Sequence, residues 1–174
     1  MTIKDEKMAV KNDVKRKHII AMLVEDNPGV LTKITGMFAR RNFNIDAITV
    51  GRTNNPGISK VVVTAIGTTK TLEQLEKQIN KLVEVVKVSE ANSGIIREVC
   101  LIKIYSPDGK SPEKSRELLF EYMKTFKATF SDITKDAMII EIVGTPEKID
   151  SFKELMKPYG IIDISRTGST AMIK

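Results

Sequence analysis

The 174-residue sequence predicts an α+β protein of two tandem βαββαβ domains. Three observations predict it. Segments with apolar residues at helical spacing alternate with β-branched runs in the order β-α-β-β-α-β. After a short polar stretch the same order comes a second time. Each helical segment carries a single apolar stripe, so each should lie against one side of a sheet. A four-stranded antiparallel sheet with both helices on one face, the ferredoxin-like sandwich, is the architecture this order implies for each half.

The chain opens on MTIKDEKMAVKNDVKRK, residues 1–17, with six Lys/Arg against three Asp/Glu. It lacks the apolar core of an export signal and reads as a basic flexible tail. Residues 18–25 (HIIAMLVE) are continuously apolar between His18 and Glu25 and read as a strand. Over 28–41, Val30, Leu31, Ile34, Met37 and Phe38 form one stripe of an amphipathic helix. Residues 44–52 alternate as a strand, Asn54-Asn55-Pro56-Gly57 is a turn, and 58–66 (ISKVVVTAI) is the next strand. Leu72, Leu75, Ile79 and Leu82 mark the second helix, with Thr69 or Thr71 as its cap, and 84–89 closes the set.

The first domain is thus expected at 18–91 and a linker at 92–97, within the polar stretch that begins Glu90-Ala91-Asn92-Ser93-Gly94. The second domain, 98–174, repeats the plan. Residues 98–105 (EVCLIKIY) form a strand, Ser106-Pro107-Asp108-Gly109 a turn, and Ser111-Pro112-Glu113 opens a helix with Pro at its first position. Leu118, Leu119, Tyr122, Met123 and Phe126 are its expected buried face. Strands follow near 129–134 and at 137–143. Thr145-Pro146-Glu147 caps a helix with Ile149, Phe152, Leu155, Met156 and Tyr159 inward, and 160–166 ends the series. Strands 18–25 and 61–66 are apolar on both alternating sets of positions, as if covered on both faces. A neighbouring domain or subunit should supply the second cover, which points to an oligomer.

Composition narrows the function. Forty-one per cent apolar and 29% charged suits a soluble globular protein, and no apolar run approaches the ~20 residues that span a bilayer. One cysteine, Cys100, rules out an internal disulfide framework and makes the cytoplasm the default. Half of the net charge of +6 sits in the tail, and residues 98–174 carry twelve charges of each sign, so a general affinity for nucleic acid is disfavoured. RNA-recognition modules of this architecture display aromatics on their strands. Here the first domain's strands have none, and only Tyr105 is expected on a strand of the second. His18 is the single histidine, expected at the surface beside Arg16 and Lys17, so no histidine triad or histidine metal site can be assembled. Cys100 reads as a buried, inert thiol. No catalytic residue and no metal site suggests itself.

The stretch "VEDNPGVLTKITGMFARRNFNIDAITVG", residues 24–51, is the exception to this blandness. With Pro28 at the first helical position, Asn27 becomes the N-cap. The N–H groups of Gly29, Val30 and Leu31 then lack intrahelical acceptors and form an anion site at the positive end of the helix dipole. Gly29 lets a ligand approach the backbone. Asn44, after the polar kink Asn42-Phe43-Asn44, offers an amide, and Asp26 offers charge for an ammonium. With Val30, Leu31 and Ile45 as apolar surround, these groups suit a small apolar amino acid. A plain turn and helix cap accounts for the same residues.

Five ordered blocks add to this reading. Residues 18–90 resemble an ACT domain, the amino-acid-sensing βαββαβ module. "NPGVL" (27–31), "GMFARRNFNIDAITVG" (36–51) and "LEQLEKQINKLVEVVKV" (72–88) resemble the regulatory small subunits of acetohydroxyacid (acetolactate) synthase. "REVCLIKI" (97–104) and "SRTG" (165–168) carry the likeness across the second half. The resemblance implies a non-catalytic subunit that binds a thiamine-diphosphate-dependent large subunit, which would also hold Mg and FAD. It implies activation of that partner and feedback inhibition by valine or a related branched-chain amino acid bound between two ACT domains of a homodimer. Gly29 and Asn44 match the family's effector contacts, Thr32 matches a small hydroxyl position, and Asp26 stands where Asn is common. Two other readings remain: a stand-alone amino-acid sensor for another enzyme, and a nucleic-acid-binding module using the basic tail.

Overall fold

A computed structural model of the chain describes residues 14–41, 43–106 and 112–173. Its elements are β1 (Arg16–Glu25), α1 (Val30–Ala39), β2 (Asn44–Arg52), β3 (Ile58–Gly67), α2 (Thr69–Ile79), β4 (Val85–Glu90), β5 (Ile95–Tyr105), α3 (Pro112–Phe126), β6 (Thr129–Ile133), β7 (Ala137–Gly144), α4 (Pro146–Met156), a 3-10 turn (Lys157–Tyr159), β8 (Ile161–Arg166) and β9 (Thr170–Met172). The βαββαβ order therefore occurs twice. Most of the basic tail, Asn42, the Pro107-Asp108-Gly109 turn and Ser111 lie outside the described residues.

The chain divides into two compact units, one running to Ile95 and including Ser169 onward, the other Ile96–Gly168. The last three residues of the expected linker, 95–97, are already strand.

The first unit has an antiparallel sheet in the order β2-β3-β1-β4. β3 is central: its Ala65 pairs with His18 of β1 on one side and Ile45 of β2 on the other. Its core joins Ile20, Met22 and Val24 of β1 and Val61, Val63 and Ala65 of β3 to Ile34 and Phe38 of α1 and Leu72, Leu75 and Ile79 of α2. Burying each large apolar side chain contributes roughly 1.5–3 kcal/mol, which is what keeps two short helices on the sheet. The opposite set, Ile19, Ala21, Val62 and Thr64, is also buried within the single chain.

Two local details differ from the sequence reading. Thr68, not Thr69 or Thr71, caps α2: its Oγ1 accepts from the Thr71 N–H at 3.2 Å. Leu82 lies past the helix end, in a turn closed by its N–H to the Ile79 carbonyl at 3.0 Å, yet still packs on the core.

The second unit's sheet runs β6-β7-β5-β8. β5 alternates cleanly, Cys100, Ile102 and Ile104 inward against Leu119, Met123, Ile149, Phe152 and Met156. Cys100 is buried, and that burial pushes its thiol pKa up, away from the reactive thiolate. Thr145 caps α4 as anticipated, accepting from the Lys148 N–H at 3.3 Å. Leu118, expected inward, is 42% exposed, because Leu119 and Met123 already fill the space beneath α3. Phe130 joins Tyr105 as a strand aromatic, but it packs on the core, edge-on to Phe120 with ring centroids 5.7 Å apart. It is not displayed for stacking.

Candidate effector site

The helix after β1 begins two residues later than the proline suggested. α1 starts at Val30, and its N-cap is Gly29, in the left-handed region at φ 86° and with no side-chain cap. Asn27 is not the cap; its side chain donates to Glu25 Oε2 at 2.8 Å, while its carbonyl is 3.4 Å from the Val30 N–H. Nor is Pro28 the first helical residue. An L side chain is strained at that φ, so the backbone alone already calls for glycine at 29. The first intrahelical bond runs from the Lys33 N–H to the Gly29 carbonyl, 3.1 Å. The N–H groups without intrahelical acceptors are consequently those of Val30, Leu31 and Thr32, shifted one residue along.

Around this helix start, Asp26, Asn27, Pro28, Gly29, Leu31 and Thr32 are exposed. Val30 is 4% exposed and belongs to the core, so it anchors α1 and offers nothing to a ligand. Ile45 is half-buried against the same core. Asp26 is tied twice, by its N–H to the Gly57 carbonyl at 2.8 Å and by its carboxylate to Arg52 Nε at 3.8 Å. That ion pair is open to solvent and contributes at most about 1 kcal/mol, so an incoming ammonium could displace it. Asn44 is exposed, the first residue of β2, opposite Ile66.

A cleft of about 440 Å³ runs along α1, lined by Gly29, Thr32, Lys33, Gly36, Met37, Arg40 and Leu82. It brings Gly29 and Thr32 together and leaves Asp26, Asn44 and Ile45 off its walls. Lys33 donates to Glu84, and that hydrogen bond holds the Glu84 carboxyl below the usual range. A positive helix end, Lys33 and Arg40 favour an anion. Met37 and Leu82 give that anion an apolar neighbour. Carboxylate recognition beside a small apolar group is what the cleft can do, and its open side leaves the rest of a ligand to something outside the unit.

Lys33, Gly36, Met37, Arg40 and Leu82 were not picked out from the sequence. Gly36 is the signal that could have found them. It sits inside α1, where glycine costs roughly 1 kcal/mol relative to alanine, and a Cβ built there meets nothing within 4 Å. The chain's own packing does not require it.

Comparison with known proteins decides the family. Residues 20–87 match the AHAS small subunit-like ACT domain, and residues 97–174 match the family described as the small subunit of acetolactate synthase. The chain belongs to the acetolactate synthase small-subunit family. A probable acetolactate synthase small subunit of Archaeoglobus fulgidus is 43% identical over 159 residues, covering 91% of this chain and 97% of that protein. The small subunit of Bacillus subtilis is 38% identical over 161 residues, 91% of each chain. The crystal structure of the Thermotoga maritima acetolactate synthase small subunit superposes with a TM-score of 0.79 at 38% identity, covering 91% of this chain and 98% of that one. The first unit is thus an ACT-type regulatory domain, and the small-subunit family implies a catalytic large subunit as partner. Among the described residues no helix is long and apolar enough to cross a membrane, and no cluster of three or more His, Cys, Asp or Glu could hold a metal.

Proposed function

We propose that this chain raises the activity of an acetolactate synthase large subunit and makes it sensitive to valine or a related branched-chain amino acid. The observation that carries the reading is the tandem family match in one chain, over 20–87 and 97–174. The glycine-capped start of α1 supports it, because the N–H groups of Leu31 and Thr32 lack intrahelical acceptors beside Lys33, where an amino acid's carboxylate would be received. Asp26 takes the ammonium, in exchange for Arg52. Leu31, Met37 and Leu82 bound the apolar side chain, and Asn44, with Ile45 beside it, comes from the second chain of a homodimer.

Two features support the dimer. β2 is an edge strand with Ile48 and Val50 exposed, and Gly36 presents bare helix backbone on α1. A second copy pairing there would close the cleft's open side. The reaction itself belongs to the large subunit, with its thiamine diphosphate, Mg and FAD, in the cytoplasm. The chain lends it regulation and no catalytic residue.

Reconstitution tests this. The chain mixed with its cognate large subunit should raise acetolactate formation from pyruvate, and valine should lower the raised rate. No stimulation and no amino-acid sensitivity would defeat the reading. Amino-acid binding without any effect on the large subunit would make the chain a sensor for some other enzyme.

A further inference from the structure

The chain's single histidine, expected at the surface, is completely buried. His18 Nε2 lies 3.2 Å from the Gly67 carbonyl and Nδ1 lies 3.1 Å from Glu90 Oε1. A carbonyl only accepts, so Nε2 carries a hydrogen and donates it to Gly67. Gly67 ends β3, and the ring of Phe43 occupies the place of its missing side chain: a Cβ there would fall 2.1 Å from Phe43 Cε1. Phe43 is itself pinned, its N–H donating to the Phe38 carbonyl at 3.0 Å and its ring edge-on to Phe38 with centroids 6.1 Å apart. The next residue is Asn44.

We propose that His18 is a positioning residue for Asn44, and through it for the effector response. The Nε2–H bond fixes the Gly67 peptide, Phe43 seats on that peptide, and the seat of Phe43 sets where β2 begins. This rests on the reading of Asn44 as an effector contact. The ring's orientation is set from the other side by Glu90, whose Oε1 also accepts from Asn92 Nδ2 at 2.5 Å, while Asn92 Oδ1 accepts the Ile19 N–H at 2.8 Å. The clamp thus joins the start of β2 to the stretch that leads out of β4 towards the second unit. The charged groups around it are Glu90 on β4, Arg16 on β1, and Glu76 on α2, whose carboxyl interacts with both Glu90 and His18.

Two substitutions separate the ring's hydrogen bonds. Glutamine places its amide N–H where Nε2 was and keeps the donor to Gly67. Asparagine places one where Nδ1 was and keeps only the contact to Glu90. A residue that merely filled buried volume would not distinguish them. In full-length protein checked by thermal melt, His18→Gln should bind valine within about threefold of wild type. His18→Asn should bind up to about tenfold more weakly, the worth of one buried hydrogen bond, and should shift the Asn44 side-chain amide signal. Phe43→Leu, acting one contact further along, should give the same loss, and combining it with His18→Asn should add little. Equal behaviour of the Gln and Asn proteins, or additive losses in the double variant, would overturn the proposal. Should wild-type protein bind no branched-chain amino acid, the effector reading falls instead. The Asn44 amide would then decide the positioning alone: a shift in His18→Asn and none in His18→Gln supports it, and an unmoved signal overturns it.

Discussion

The two units share a βαββαβ plan and differ in what they leave open. In the first, β1 and β3 are buried on both faces over most of their length, while β2 forms an open sheet edge and the start of α1 is exposed. In the second, β5 buries one face and shows the other, with Val99, Leu101 and Tyr105 outward. Their helix starts differ as well. α4 has the ordinary equipment of a stable N-terminus, a threonine cap, a proline at its first position and Glu147 in its first turn. α1 has a left-handed glycine, no side-chain cap and no acid in its first turn. α4 satisfies one of its first N–H groups from within, whereas α1 leaves its first turn without a side-chain cap. The same topology therefore carries a satisfied helix start in one unit and a receptive one in the other.

The sharpest way to break this contrast is to damage one unit and watch the other. Arg166 on β8 donates to Glu98, which is 3% exposed, to Asp150 Oδ1 at 2.7 Å and to the Pro146 carbonyl at 3.3 Å. Arg166→Leu leaves a buried carboxylate without its guanidinium, a change that costs roughly 3–5 kcal/mol. We expect the second unit to melt at markedly lower temperature while valine binding by the first persists, read by calorimetry with and without valine. Loss of valine binding in protein whose first unit is still folded would show that the site is not confined to that unit.

Next in size is Gly29→Asp. The substitution is not mild for the fold, because it puts a side chain at φ 86°, which costs about 1–2 kcal/mol. For the effector it places a carboxylate where the ligand's own should sit. We expect a lower melting point, retained stimulation of the large subunit and lost inhibition. Gly29→Asn is the control, since asparagine tolerates the left-handed region and adds no charge. Unchanged inhibition in folded Gly29→Asp protein would remove the loop from the site.

Gly36→Ala has an opposite sign for the monomer. With nothing within 4 Å of the added methyl group, the change should stabilise an isolated helix by roughly 1 kcal/mol. If a second chain lies against that bare backbone, the methyl group should weaken the dimer. Sedimentation beside a thermal melt reads both effects. A stabilised protein with unaltered self-association would place the dimer contact elsewhere.

How much of this the sequence disclosed follows from the range of each determinant. Periodicity and β-branching are local, so the strands and helices of both βαββαβ sets could be placed within a few residues, while the short β9, beyond the last apolar run read as a strand, was not placed. The start of α1 was misplaced because Asn27-Pro28 is a common cap pair, and only the backbone shows that Gly29 takes φ 86°. His18 was misjudged because its partners, Gly67 and Glu90, are 49 and 72 residues away. Leu118 failed for a related reason: on a helix rich in apolar residues, the sheet beneath decides which of them face inward. Of the site, Gly29 and Thr32 were legible and lie on one cleft, but Lys33, Met37, Arg40 and Leu82 read as ordinary helix surface and core until the fold set them side by side.

The smallest expected effect probes the buried polar corner of the first unit. Burial pushes the Glu76 carboxyl above its usual range, reinforced by Glu90 and Glu73 and opposed by His18, and its Oε1 is buried without a hydrogen-bond partner. A carboxyl whose pKa is higher folded than unfolded takes up its proton in the folded state first. Its ionised form therefore weakens the fold above the folded value, and that penalty is relieved as pH falls through it. Glu76→Gln removes the penalty at neutral pH while keeping the side chain's shape. Melts across the pH range should show the variant slightly more stable than wild type at pH 7, with the two curves converging as wild type is protonated on the acid side. A variant less stable at pH 7 would mean that the charge is used, most directly to balance His18. Weakened valine binding in that same protein would then extend the His18 clamp to α2.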